Sequence, residues 1–207
     1  NLLPEDAHQT NLGFLCSRVN PKINLDFKSS IFFNHIKNKI VAIPTKNLFV
    51  WSIQNVGRAN TFGSELQFDF KFNITDSWKL ALSTNYTYQK TIDVTDPYSP
   101  TYLNQVAYIP EHTANADVTF NFQKTGIRIS SFYVSKRYAL NENIISNQLD
   151  GFFLMDVSMF QTFTISSSQE LKLIGNVKNI LNSSYAYVRS YTMPGVNYSI
   201  SLSYAFN

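Results

Sequence analysis

A two-residue alternation of apolar and polar side chains closes this chain and recurs along it. In NYSISLSYAFN, residues 197–207, Tyr198, Ile200, Leu202, Tyr204 and Phe206 fall on one face of a strand, and Asn197, Ser199, Ser201, Ser203 and Ala205 fall on the other. Upstream, Leu66, Phe68, Phe70, Phe72 and Ile74 oppose Gln67, Asp69, Lys71 and Asn73, while Trp78, Leu80, Leu82, Tyr86 and Tyr88 oppose Lys79, Ala81, Ser83, Asn85 and Thr87. Residues 23–33 and 113–122 repeat the pattern. A period of two places each segment on a strand with one apolar and one wet face.

Composition agrees with an all-β chain. Seventeen Phe, twelve Tyr and two Trp stand beside only seven Gly, an inventory suited to strands rather than helices. The net charge of +3 is carried by dispersed Lys and Arg, so no nucleic-acid partner is expected. Cys16 is alone, closes no internal disulfide, and reads as a small apolar residue. No stretch approaches the roughly eighteen apolar residues of a spanning helix, and no secretion signal is visible at residue 1. A membrane β-barrel passes both tests, because its strands are short and leave a weak hydropathy trace.

The pattern predicts nine strands. They cover 9–19, 23–33, a long third strand from near Leu48 to residue 74, 78–88, 113–122, 127–138, 152–165, 170–183 and 197–206. The third carries Phe49, Trp51 and Ile53 and changes register around Gly57 to Gly63. In 9–19, 127–138, 152–165 and 170–183 the alternation breaks phase, which predicts bulges. Short turns at 20–22, 73–77, 123–126 and 166–169 alternate with long connections at 37–46, 89–111, 139–150 and 184–196. Since every hairpin reverses the chain, all short turns fall at one end and all long loops at the other, as in outer-membrane barrels. From Trp78 to Tyr88 is ten residues, roughly 33 Å of strand, which at a tilt of about 40° rises about 25 Å, the height of a barrel's apolar band. Trp51, Trp78, Tyr86, Tyr88, Tyr198, Tyr204 and Phe206 are the expected membrane-interface girdle, with the apolar faces toward the lipid bilayer and the Asn, Ser and Thr faces toward a wet lumen.

Five short motifs resemble those of TonB-dependent outer-membrane receptors. NLLPE at 1–5, NVGRANTFGSE at 55–65, IPEH at 109–112, VKNILNSSYAY at 177–187 and MPGVNYSISLSYAF at 193–206 occur in that family's order and at plausible spacing. Val196 stands where the family often has Arg, and Asn207 follows the aromatic that usually ends the chain. The resemblance implies the C-terminal part of a 22-stranded plugged barrel that imports an iron-siderophore, haem or cobalamin, energised by TonB, with no enzymatic activity and no cofactor. Asn55, Gly57, Ala59, Gly63, Glu65, Pro110, Asn179, Tyr185, Pro194 and Gly195 would be its structural motif residues. Gly57 and Gly63 suit a bulge, and Pro194 with Gly195 suits a turn.

Candidate chemistry is sparse. His8, His35 and His112 lack metal-ligand spacing, although His8 or His112 near the outer rim would be placed to touch haem or a metal complex. Asp93, Asp96 and His112 flank one loop, but no nucleophile motif accompanies them, so a barrel hydrolase ranks below a passive pore or scaffold as the alternative function. Tyr98, Tyr102 and Tyr108, with Arg189, Tyr191 and Met193, are the expected wall for a large solute ligand. The plainer alternative is that these tyrosines pack the loops on each other. Nine strands is an odd number, which places residue 1 outside the cell and the C-terminus in the periplasm. The expectation is a second polypeptide that supplies the plug and the remaining strands, contacts TonB, and pairs with 9–19 and 197–206; one continuous longer chain is the alternative.

Overall fold

The computed structural model describes residues 2–44, 51–55 and 57–206. In chain order the strands are β1 (Asp6–Val19), β2 (Ile23–Lys37), β3 (Ile40–Pro44), β4 (Trp51–Asn55), β5 (Arg58–Asn73), β6 (Trp78–Asp93), β7 (His112–Phe122), β8 (Thr125–Val134), β9 (Arg137–Tyr138), β10 (Gln148–Leu149), β11 (Phe152–Ser166), β12 (Gln169–Lys178) and β13 (Asn197–Phe206). Nine of them form one antiparallel sheet in the order β1-β2-β5-β6-β7-β8-β11-β12-β13, with β1 and β13 at its edges. Short turns join β1 to β2, β5 to β6, β7 to β8 and β11 to β12, and every other connection between neighbours is long. The segregation of turns and loops is as the alternation requires.

Cross-strand register turns the individual alternations into one surface. The partners Arg18, Leu25, Phe70, Leu82, Val118, Ile129, Val157, Val177 and Tyr198 run unbroken across all nine strands on one face. Leu12, Ile31, Phe33, Phe62, Phe120, Met159, Leu173, Ile200 and Leu202 share that face and stay exposed. An apolar surface this wide, presented by a sheet one layer thick, is a lipid-facing surface.

On the opposite face Ser17, Asp26, Asp69, Ser83, Asp117, Ser130 and Asp156 are successive cross-strand partners. Ser17 Oγ donates to Asp26 at 2.6 Å, Ser83 Oγ to Asp69 at 2.6 Å, and Ser130 Oγ to Asp117. Asp26 and Asp69 lie directly opposite one another, a like-charge pair that a dry core would not tolerate but water screens. This face therefore lines a wet lumen.

The sheet buries almost nothing of its own. Among the described residues the buried apolar side chains are Ala59, Val106, Ala107, Val134, Ala139, Leu149 and Phe152, all at the long-loop end. The packed core sits in a cap of loops over the mouth, not in the wall.

Four sequence expectations change. The third strand of the wall begins at Arg58, not near Leu48; residues 40–44 and 51–55 pair with each other as a separate hairpin. Leu48 and Phe49 lie outside the described residues. Trp51 belongs to that hairpin and not to the wall, so its strand contributes no girdle residue, and its side chain is outside those described. Gly57, with φ of +69°, is the link that re-aims the chain between hairpin and wall. The strand expected over 170–183 stops at Lys178, because Asn179 takes φ of +50°. Nor do bulges explain the breaks of phase: one register shift occurs, between Thr164 and Ser166, while elsewhere the register is continuous. Instead Leu15, Phe132, Phe160 and Ile174 point into the lumen, so both faces carry apolar groups there.

Candidate functional site

Three loops build the cap. Between β6 and β7, Asp93 holds the chain: its carboxylate accepts the Thr95 N–H at 2.9 Å and the Thr101 hydroxyl at 3.1 Å, and its carbonyl accepts the Leu103 N–H at 2.8 Å. From the loop between β9 and β10, Asn143 mimics a strand partner. Its Oδ1 accepts the Gln105 N–H at 2.6 Å and its Nδ2 donates to the Gln105 carbonyl at 3.0 Å. Asn141 Oδ1 likewise accepts the Ala107 N–H at 2.9 Å. Asn side chains suit this because each offers an acceptor and a donor at the spacing of a peptide group.

Arg137 ties in the third loop. Only 3% exposed, it donates from one terminal nitrogen to the carbonyls of Ala186 and Tyr187 at 2.6 and 3.0 Å. Its guanidinium lies 5.6 Å from the Phe152 ring centre, a cation over an aromatic face. Phe152 in turn meets Tyr185 and Tyr187 at 5.0 and 5.4 Å. Burial pulls the Arg137 pKa below its ordinary value, with Tyr108 and Tyr187 opposing that shift. Burial also raises the Tyr108 phenol, against a backbone hydrogen bond and the charge of Arg189 and the charge of Arg137. Tyr185 is pushed up by burial first, then by Tyr187 and Asp156. Below this cluster a cavity of about 370 Å³ opens into the lumen, lined by Asn115, Asp117, Phe132, Asp156 and Asn179 among others.

The six residues expected at the ligand wall separate into groups. Tyr108 and Arg189 come together beside Arg137, and Arg189 also reaches Asn147 at 3.3 Å. Tyr108 has φ of 61°, which is costly for a bulky residue, and its N–H is held by the Tyr138 carbonyl at 2.7 Å. Tyr191 and Met193 lie on a small hairpin closed by the Ala186–Thr192 bridge and the Met193 N–H on the Tyr185 carbonyl at 2.9 Å. Tyr102 is half-buried, its N–H on the Ser99 carbonyl at 3.0 Å. Tyr98 stands 96% exposed at the outermost part of its loop.

The motif residues hold the chain rather than offer chemistry. Asn55 donates to the carbonyls of Leu3 and Asn38 at 3.0 and 2.6 Å and accepts the Leu3 N–H at 2.9 Å. Ala59 is fully buried, and Glu65 accepts from Ser30 at 3.5 Å on the lumen side. Asn179, 3% exposed, donates to the Ser183 and Pro194 carbonyls at 2.9 and 3.4 Å, accepts the Ser183 N–H at 2.9 Å, and has its own N–H on Asp156 at 2.8 Å. Asn182 Oδ1 fills the space beside Gly195. Alanine at Asn179 is expected to cost about 1–3 kcal/mol, since it leaves buried groups unpaired and keeps a strained φ. Urea unfolding of the whole receptor measures that loss, and proteolysis should then cut within 180–196 first.

His112 stands at the start of β7, at the long-loop end. It faces outward on β7, across from Tyr88, with its Nδ1 2.9 Å from the Tyr86 hydroxyl, so at the rim it lies on the outer face beside the aromatic girdle. Asp93 is buried in loop-holding bonds. Among the described residues no group of three or more potential metal ligands occurs. Sequence reasoning missed Arg137, Asn141, Asn143 and Phe152. Their single signal was the pair Lys136-Arg137 at the end of an apolar strand, which points to burial in no particular way.

A one-layer wall with a lipid face, a wet face and a loop cap at one end is that of a transmembrane β-barrel. The profile of the family described as TonB dependent receptor-like, beta-barrel matches residues 1–180, and the chain belongs to that family. Its members are receptors and transporters rather than enzymes, located in the Gram-negative outer membrane. Among solved structures the chain is similar to the ferric-catecholate import receptor Fiu of E. coli K12 (16% identity, TM-score 0.66, covering 99% of this chain and 28% of that one). It is also similar to the copper transporter OprC (16%, 0.68, 100% and 32%) and to BauA, the ferric preacinetobactin receptor of Acinetobacter baumannii (15%, 0.66, 97% and 29%). At these identities the likeness is one of fold. The chain spans about 28–32% of the length of those proteins. Curated proteins gave no match.

Proposed function

We propose that this chain is the C-terminal wall and part of the outer cap of an energised receptor that imports a scarce large solute, with its long loops outside the cell. The observation that carries the reading is the cap itself. Three loops from separate hairpins are knit by Arg137, Asn141 and Asn143 over a wet lumen, which a passive pore does not need. A cavity of 370 Å³ is small for a siderophore complex, haem or cobalamin, so such a ligand would meet the exposed Tyr98 and Tyr191 and the half-buried Tyr102 before any inner site. The ferric complexes and the copper in the neighbours' names are the solutes to test first.

The backbone edges of β1 and β13 require pairing within lipid. The partners proposed are about thirteen further strands and a plug that contacts TonB, carried on this polypeptide or on a second one; a denaturing gel of the purified receptor separates those forms. In cells with the whole receptor as their only iron importer, uptake of a labelled ferric catecholate should vanish without TonB. Joint alanine substitution of Tyr98, Tyr102 and Tyr191 should lower uptake about tenfold at unchanged receptor yield. Uptake that persists without TonB would favour the passive pore, and unchanged uptake in the triple variant would make those loops mere cover.

A further inference from the structure

On β2, β5 and β6 the outward face carries cations at the long-loop end only. Lys37 and Arg58 are direct cross-strand partners on β2 and β5, and Lys90 lies across from Phe62 on β6. All three are exposed and share a face with Phe33, Phe62 and the girdle residue Tyr88. At the turn end of the same strands, the outward positions are Ile23, Phe72 and Trp78. Lys37 and Arg58 sit four residues beyond Phe33 and Phe62, and Lys90 two beyond Tyr88. For tilted strands that is about 5–10 Å above the girdle, the depth of lipid phosphates rather than of acyl chains.

Among the described residues none of the three cations forms an ion pair within 4.0 Å; Asp6 lies opposite Lys37 and offsets one charge of the three. The Arg58 guanidinium is aimed by one bond, from Nη2 to the Thr95 carbonyl at 2.7 Å, which leaves its other nitrogens free to donate. Lys37 and Arg58, paired on adjacent strands, are close enough to share one anionic group. Lys90 lies across the sheet and four residues lower, on the order of 14 Å away, a span suited to a second phosphate on the same headgroup.

We infer that β2, β5 and β6 hold a phosphorylated glycolipid of the outer leaflet, one phosphate between Lys37 and Arg58 and a second at Lys90. The inference rests on the long-loop end facing outward, as proposed above. Arg and Lys favour such sites because charge-assisted bonds to phosphate are strong at a partly desolvated interface.

The test uses the whole receptor, delipidated in detergent, and native mass spectrometry with added diphosphoryl lipid A. One lipid should bind, and changing Lys37, Arg58 and Lys90 together to Gln should weaken it at least tenfold. Gln at the lumen-facing Lys71 and Lys79 should change nothing. Monophosphoryl lipid A should bind several-fold more weakly, and Lys90→Gln alone, the gentler variant, should abolish that difference. Equal binding by the triple variant, or by phosphatidylcholine, would overturn the inference. So would displacement by millimolar inorganic phosphate, which would mark an ion site instead. Uptake should survive in the triple variant, so that a failed lipid site and a failed receptor assignment give different results.

Discussion

Arginine at Leu82 is expected to destabilise the receptor by about 2–4 kcal/mol, the cost of a cation at the middle of a barrel's lipid face. Leu82 lies between Phe70 and Val118, halfway from Trp78 to Tyr88, at the centre of the apolar band. Its neighbour Ser83 lies on the other face, bonded to Asp69 and opposite Asp117. Arginine at Ser83 therefore enters an acidic, hydrated row and should cost less than about 1 kcal/mol, or stabilise slightly. Reversible urea titration of the whole receptor in lipid reads both, and the difference between adjacent positions is the informative quantity. A soluble sheet with a dry core gives a large loss at both or the opposite order.

Valine at Gly63 should be as damaging for a different reason. A Cβ there would stand 2.2 Å from the Tyr88 carbonyl oxygen and 2.7 Å from the Phe32 ring, so the β5 and β6 backbones would have to part. Overpacking of this kind costs on the order of 3 kcal/mol, and it falls in mid-sheet, where β5 has a neighbour on either side. Gly175 is the control: nothing lies within 4 Å of a Cβ placed there, and valine at that outward position should be neutral or mildly stabilising. The heat-shifted band of the folded barrel on a gel, compared between the two variants, gives the answer. Equal yields would mean that the β5–β6 register is wrong.

The wall was legible because alternation reports the contrast between two environments. Where the contrast is sharp, as in β13, strand, face and ends were all read correctly; in β6 the strand, face and start were, although it runs on past residue 88 to Asp93. Where Leu15, Phe132, Phe160 or Ile174 turns inward, the contrast fades and the pattern mimics a bulge. The hairpin of residues 40–44 and 51–55 misled in the opposite way. Its outer arm runs into β5 with a strand-like composition, and only the positive φ of Gly57 marks the break.

The cap was much less legible. Arg137 is fixed by carbonyls 49 and 50 residues further along the chain, and the Asn143 pairing spans 38 residues, so no local pattern announces either. The motif asparagine at 179 was recognised, yet its work, closing the start of the last loop through four hydrogen bonds, needed coordinates. The tyrosines at 98, 102, 108 and 191 were recognised as a group by composition, whereas the fold distributes them between an exposed tip and the surroundings of a buried arginine.

The central claim is that the nine strands stand in a membrane with their apolar face to lipid. It is tested most directly by spin labels at single cysteines from Lys79 to Tyr88 in the reconstituted whole receptor, with Cys16 replaced. Labels at 80, 82, 84 and 86 should be accessible to oxygen and shielded from a water-soluble nickel chelate, while labels at 79, 81, 83 and 85 should be the reverse. The alternation should fade toward Tyr88, where the band ends. Labels at 80 and 82 that are immobile and closed to both reagents would place those side chains in a dry protein core and contradict the account.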